Sequence, residues 1–258
     1  MLTVATSFFW IVLIIFSITA IYSMKNMSLD IGNPQITITP DNEMVLTFPM
    51  EIVNNGYYNI NDFNVSTEIQ DMQNSTLAKG STLIPIIEKG ETLNTTHQMT
   101  INLTDTLQTY SYLVFNDTEL RIPVTITMET AELISLQVSS NLTIPWGAPL
   151  YNLTFGTPEF TAQTGPNSTR FYGVSIPTAF ENHAPFDLDG TIRLVIYNDR
   201  DILIWTTEIV LNARQQSIYQ ADLNLEVPAT DVPANGRFEA FFETPFLNYG
   251  PLVIPYGS

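Results

Sequence analysis

Residues 2 to 24, LTVATSFFWIVLIIFSITAIYSM, are uncharged, and their polar side chains are mostly small hydroxyls. Beyond them, apolar and polar positions alternate in short runs. Crossing a bilayer takes about 20 apolar residues, so the first pattern predicts one transmembrane anchor over residues 1–25. A cleaved secretory signal is the alternative. Phe8 to Phe16 has the length of a signal core, and Ser17, Thr19 and Ala20 supply small residues for cleavage. Against it, no basic residue precedes that core. Lys25 alone says little about orientation.

The second pattern is period two. Leu46, Phe48, Met50 and Ile52 alternate with Thr47, Pro49, Glu51 and Val53. Ile122, Val124, Ile126 and Met128 do the same, as do Ile192, Leu194 and Ile196, and Tyr219, Ala221, Leu223 and Leu225. Side chains of a strand point alternately to its two faces. Short runs of this kind, punctuated by Asn, Gly and Pro, predict an all-β chain of antiparallel sandwiches. Tyr197 to Asp201 reads as a hairpin turn. Short helical turns are expected only near Thr106 to Tyr110 or Val227 to Ala234.

The β region repeats itself. IGNPQI (31 to 36) parallels FGTPEF (155 to 160). FPMEIVNNGYYNINDFNV (48 to 65) parallels SIPTAFENHAPFDLDGTI (175 to 192). MTINL (99 to 103) parallels ADLNL (221 to 225), and LTIPWG (142 to 147) parallels LVIPYG (252 to 257). The order is the same in both halves, as in an old duplication. Two tandem sandwich domains are therefore expected, 28–149 and 150–258, with the boundary in the Pro/Gly-rich PWGAPLYN.

Composition gives the compartment. Asn-x-Ser/Thr occurs nine times: Asn26, Asn64, Asn74, Asn94, Asn102, Asn116, Asn141, Asn152 and Asn167. Asn64 between Phe63 and Val65, and Asn102 between Ile101 and Leu103, take the solvent phase of their strands. Glycosylation at these nine sites places the chain outside the cell membrane. There is no cysteine, hence no disulfide scaffold and no thiolate metal site. All 26 acidic residues lie at or after Asp30, and the net charge is −17. That excess argues against nucleic acid as a partner.

On these residues each half resembles the late-embryogenesis-abundant type 2, or water-stress-hypersensitivity (WHy), domain. The GNP and GTP steps, the two strand-turn-strand units quoted above and the Lys89-Gly90-Glu91 turn carry the resemblance. It implies sandwiches related to fibronectin type III. Tandem copies behind one transmembrane helix look like a group of archaeal surface proteins. Family members are linked with stress protection and some with lipid handling, which carries onto no residue here.

No catalytic constellation is legible: no HExxH, no GxSxG, no phosphate-cradling loop. His97 and His183 stand apart and read as solvated or turn histidines. Asp187 with Asp189, and Asp199 with Asp201, are candidate calcium ligands, but turn aspartates usually bond their own backbone. Trp205 reads as core. The chain is thus expected to be no enzyme and to need no cofactor or metal. The expected function is an anchored, glycosylated structural or partner-binding protein of the cell surface. The alternative is a module holding a lipid or other apolar ligand in a sandwich cavity. A protein partner or self-association is expected through the aromatic, sequon-free end: Phe238, Phe241, Phe242, Phe246, Tyr249, Leu252, Val253, Ile254 and Tyr256.

Overall fold

The computed structural model describes residues 2–165, 170–229 and 234–257, with the side chains of the first helix from Phe9 onward. Helix α1 (Leu2–Lys25) carries the uncharged run. Phe9, Trp10, Ile11, Ile14, Ile15, Ile18 and Ile21 are each more than half exposed on it. Among the described residues no helix is long and apolar enough to cross a membrane.

The chain, α1 included, divides into two compact units. The first holds residues 1–39, 44–101 and 120–144; the second holds 40–43, 102–119 and 145–258. The first unit is built on β1 (Met27–Ile31), β2 (Gln35–Ile38), β3 (Glu43–Asn54), β4 (Ile60–Gln70), β5 (Thr76–Ile87), β6 (Thr92–Asn102), β7 (Thr118–Thr130) and β8 (Ile134–Trp146). One sheet sets β1, β2 and β6 against β3; the other runs β5-β4-β7-β8. The pairs β1–β3, β2–β3, β4–β5 and β4–β7 are antiparallel. The sequence alternation becomes burial directly: Leu46, Phe48, Met50 and Ile52 are at most 4% exposed.

In the second unit β9 (Tyr151–Phe155), β10 (Glu159–Thr164), β11 (Arg170–Asn182), β12 (Leu188–Asn198), β13 (Leu203–Ala213), β14 (Ser217–Pro228), β15 (Gly236–Glu243) and β16 (Asn248–Tyr256) follow. Here β9, β10 and β14 lie against β11, and the second sheet runs β13-β12-β15-β16. The eight strands of each unit pair in the same order. Local devices match as well. The Gly32 N–H donates to the Pro49 carbonyl at 2.9 Å, and Gly156 to Pro177 at 2.7 Å. A Cβ at either glycine would press on that proline ring, at 3.3 and 3.0 Å.

Buried asparagines close the strand β3 and β11 turns. Asn54 Nδ2 donates to the carbonyls of Tyr58, Ile87 and Glu88, and its Oδ1 accepts from the Gly56 N–H. Asn182 Nδ2 donates to Phe186 and Ala213, and its Oδ1 accepts from the Ala184 N–H. Neither asparagine has any exposed surface.

Two short helices, α2 (Leu103–Thr109) and α3 (Tyr112–Phe115), belong to the second unit. Asn102 caps α2 by accepting from the Asp105 N–H at 3.0 Å. The helical turn expected near Thr106 to Tyr110 is α2. Of the other stretch, Val227 and Pro228 end β14, while 230–233 lie outside the described residues. The Pro/Gly-rich stretch after β8 is packed: Trp146, Ala148 and Leu150 are at most 4% exposed. Trp146 Nε1 donates to the Leu113 carbonyl at 2.9 Å, and the Leu150 N–H to Val114.

Trp205 corrects the sequence reading. It is 41% exposed, beside Ile202 and Leu203 at 57% and 56%, on β13, which lies at the edge of its sheet among the described residues.

Candidate functional site

A polar cluster gathers around His183, just after β11. Its Nδ1 lies 2.7 Å from Asp117 Oδ2, and its Nε2 2.9 Å from Glu181 Oε2. The ring stacks on Tyr151 with centroids 4.7 Å apart. Asp117 Oδ1 accepts from the Ala148 N–H at 2.8 Å, and the His183 N–H donates to the Ala148 carbonyl. The Asp117 carboxylate raises the imidazole pKa above its ordinary value; partial burial opposes this and Glu181 adds to it. The cluster sets the imidazole between two carboxylates, which favour its protonated form. With both ring nitrogens engaged, His183 offers no free nitrogen to a substrate or an ion. It acts as a clamp joining the chain after α3, the 145–150 stretch and the end of β11.

His97 differs from the solvated or turn residue expected. It lies in β6, 1% exposed, with Nε2 at 2.6 Å from Thr67 Oγ1 and Nδ1 at 2.8 Å from Thr82 Oγ1. Desolvation lowers its pKa and so favours the neutral ring, which can donate to one hydroxyl and accept from the other.

The acidic turns are occupied by protein donors. Asp187 Oδ1 accepts from the Gln215 N–H at 2.7 Å. Asp201 pairs with Arg237, which also binds Glu239 and lies 4.7 Å over the Tyr197 ring. Among the described residues no group of three or more histidines or carboxylates could hold a metal ion.

An apolar cleft in the first unit has a volume of about 260 Å³. Ile31, Pro34, Phe48, Val124, Val138 and Leu142 are among its lining residues.

Six of the nine sequon asparagines are exposed: Asn74, Asn94, Asn102, Asn116, Asn141 and Asn152. Asn26 and Asn64 are half-buried, and Asn167 lies outside the described residues. Four of the exposed amides are already engaged: Asn102 as the α2 cap, Asn116 donating to the Tyr112 carbonyl, Asn152 donating to Glu181 Oε1 and Asn74 accepting from Arg121. At the aromatic end, Phe238, Phe242, Ile254 and Tyr256 are core, and Val253, at 59%, is the large apolar residue left exposed.

A third arrangement joins α1 to the β3–β4 turn. Ser23 Oγ accepts from the Tyr57 N–H at 3.1 Å, and Thr19 Oγ1 lies 2.7 Å from the Tyr58 hydroxyl. Tyr22 stacks on Tyr57 at 5.2 Å, and Phe16 meets Tyr58 at 6.1 Å. Sequence reasoning missed Ser23, Asp117, Glu181 and the paired asparagines. The one available signal was Asn54 and Asn182 falling at like places in the repeated strand-turn-strand unit.

No family model matches the chain, and no curated protein does. Solved structures that it matches include a bacterial adhesin from Mobiluncus mulieris, with 8% identity, 84% of this chain and 80% of that one covered, and a TM-score of 0.32. The periplasmic chaperone SfaE matches at 8% identity over 88% of this chain and 98% of its own, with a TM-score of 0.28. Likenesses this distant carry no argument about function.

Proposed function

We propose that the chain is a membrane-anchored, glycosylated protein of the cell surface, structural or partner-binding in role and not catalytic. The observation that carries this is α1. Successive residues of a helix point about 100° apart, so Phe9, Trp10, Ile11 and Val12, all exposed, place apolar side chains around its whole circumference. Such a surface is costly in water and at home in lipid. The exposed sequon asparagines support an outside location. The β pairing supports two tandem sandwiches of the kind the WHy resemblance implies. The acidic balance speaks against nucleic acid.

A second reading, an apolar ligand in a sandwich cavity, has the cleft of about 260 Å³ in its favour. Ligand pockets usually measure about 300–1,000 Å³, so this reading is the weaker. Alkaline carbonate extraction of native membranes tests the first: the chain is expected in the pellet. A soluble form beginning near Ile21 or Met24 would replace the anchor with a cleaved signal. Lipid co-purifying in stoichiometric amount with detergent-free protein would favour the second.

A further inference from the structure

We infer that the β3–β4 turn, Asn54 to Tyr58, is a membrane-contacting surface that seats the first unit in the lipid interface rather than above it. This rests on the anchor reading of α1. Along one stretch of that helix, two faces meet different surroundings. Ile18 and Ile21 are 61% and 62% exposed. Ala20 and Ser23, on another face at the same level, are 1% and 0% exposed. What covers them includes the turn. A Cβ on Gly56 would stand 2.2 Å from Ser23 Oγ and 3.0 Å from the Ser23 carbonyl, so only glycine permits the approach.

The depth follows. If Ile18 and Ile21 lie in lipid, the side chains bound to Phe16, Thr19 and Ser23 lie at the same level. Tyr58, joined to Thr19 and lying against Phe16, is one of them. The Thr19–Tyr58 bond satisfies two hydroxyls that lipid would leave unpaired. Thr19 Oγ1 also bonds the Phe16 carbonyl, and Ser17 Oγ the Leu13 carbonyl. Tyr57 stays 58% exposed while stacked on Tyr22, which is 50% exposed. A pair of half-exposed tyrosines at a helix exit suits the headgroup layer, where the ring sits in an apolar region and the hydroxyl is wet. The neighbouring β5–β6 turn is tied to the same place. Asn54 donates its N–H to the Glu91 carbonyl, and Gly90 donates to Asn54. Glu88, Lys89 and Glu91 are the charged residues of that turn. The partner is the lipid–water interface, and the surface is continuous with the anchor.

The absence of cysteine allows a direct test. Single cysteines replace Tyr57, Ile14 or Leu83 in the full chain. Each is labelled with the environment-sensitive dye NBD and reconstituted into phosphatidylcholine vesicles with or without spin-labelled acyl chains. Leu83, 61% exposed on β5, is the aqueous reference. The label at 57 is expected to show at least about half the lipid quenching seen at 14, with little at 83. Gly56→Ala added to the Tyr57→Cys chain is expected to bring position 57 down to the level of 83. Quenching at 14 but none at 57 overturns this inference alone. So does quenching at 57 that Gly56→Ala leaves unchanged. No quenching at 14 overturns the anchor reading beneath it.

Discussion

Asn54→Ala removes a side chain that holds together the end of β3, the β3–β4 turn and the end of β5. Its amide donates to the carbonyls of Tyr58, Ile87 and Glu88 at 3.0, 3.1 and 3.2 Å, and its Oδ1 accepts from the Gly56 N–H at 3.2 Å. A buried polar group left without its partner costs about 1–3 kcal/mol. The two amide hydrogens are shared among three acceptors, so the losses do not add in full. A destabilisation of about 3 kcal/mol is expected. Asn182→Ala, with two donated bonds and one accepted, should cost about 2–3 kcal/mol in the second unit. Urea unfolding of the full chain in detergent, followed by circular dichroism, reads both, each substitution moving the transition of its own unit. Asn54→Asp sharpens the test. At neutral pH a carboxylate would face carbonyl oxygens, so its folded-state pKa must rise. The protonated form donates again, and stability relative to the parent should recover as pH falls toward 4. A cost below about 0.5 kcal/mol for Asn54→Ala, or an Asn54→Asp deficit that does not shrink with acid, would refute the reasoning.

The His183 clamp gives a pH signature. Because its folded pKa is raised, its contribution is full below the unfolded value of about 6.5 and fades as pH rises through the folded value. His183→Gln should therefore cost about 1 kcal/mol near pH 5.5 and progressively less in alkali; urea midpoints across pH would contradict the clamp if the difference stayed constant. Removing residues 246–258 deletes β16, whose Ile254 and Tyr256 are buried, and should abolish the second unit's unfolding transition; a retained transition with lost self-association would instead make this segment a docking surface. Intact mass from the native host should exceed 29.0 kDa, and Asn26 should stay unmodified because its Nδ2 donates to the Tyr22 carbonyl at 2.7 Å; peptide mapping that finds sugar there would reject that part.

Strands were legible because burial on one face writes itself into period two. Leu46 to Ile52 and Ile192 to Ile196 are the plainest cases. The turns were legible where chemistry dictates them: Asn198 Oδ1 accepts from the N–H groups of Arg200 and Ile202, closing the hairpin that Tyr197 to Asp201 signalled. Position within a sheet was not legible. Leu203 and Trp205 look like core in sequence, and only the strand order places them on an edge strand. Nor could local pattern show that 102–119 would pack with residues 145–258, since no period in those residues encodes a distant partner. His183 illustrates the same limit. Its carboxylates are Glu181, two residues away, and Asp117, sixty-six away, and the second is invisible without the fold. His97 misled because lone histidines are usually wet, whereas two threonine hydroxyls satisfy this one in the core.

The central claim, an exterior domain held by α1, is tested most directly by labelling in intact cells of the native host. A single Leu83→Cys substitution supplies the chain's one thiol on an exposed strand position. A membrane-impermeant maleimide should label it without lysis, with all labelled protein in the carbonate-resistant membrane fraction. Labelling only after lysis, or labelled protein in the soluble fraction, would contradict the account.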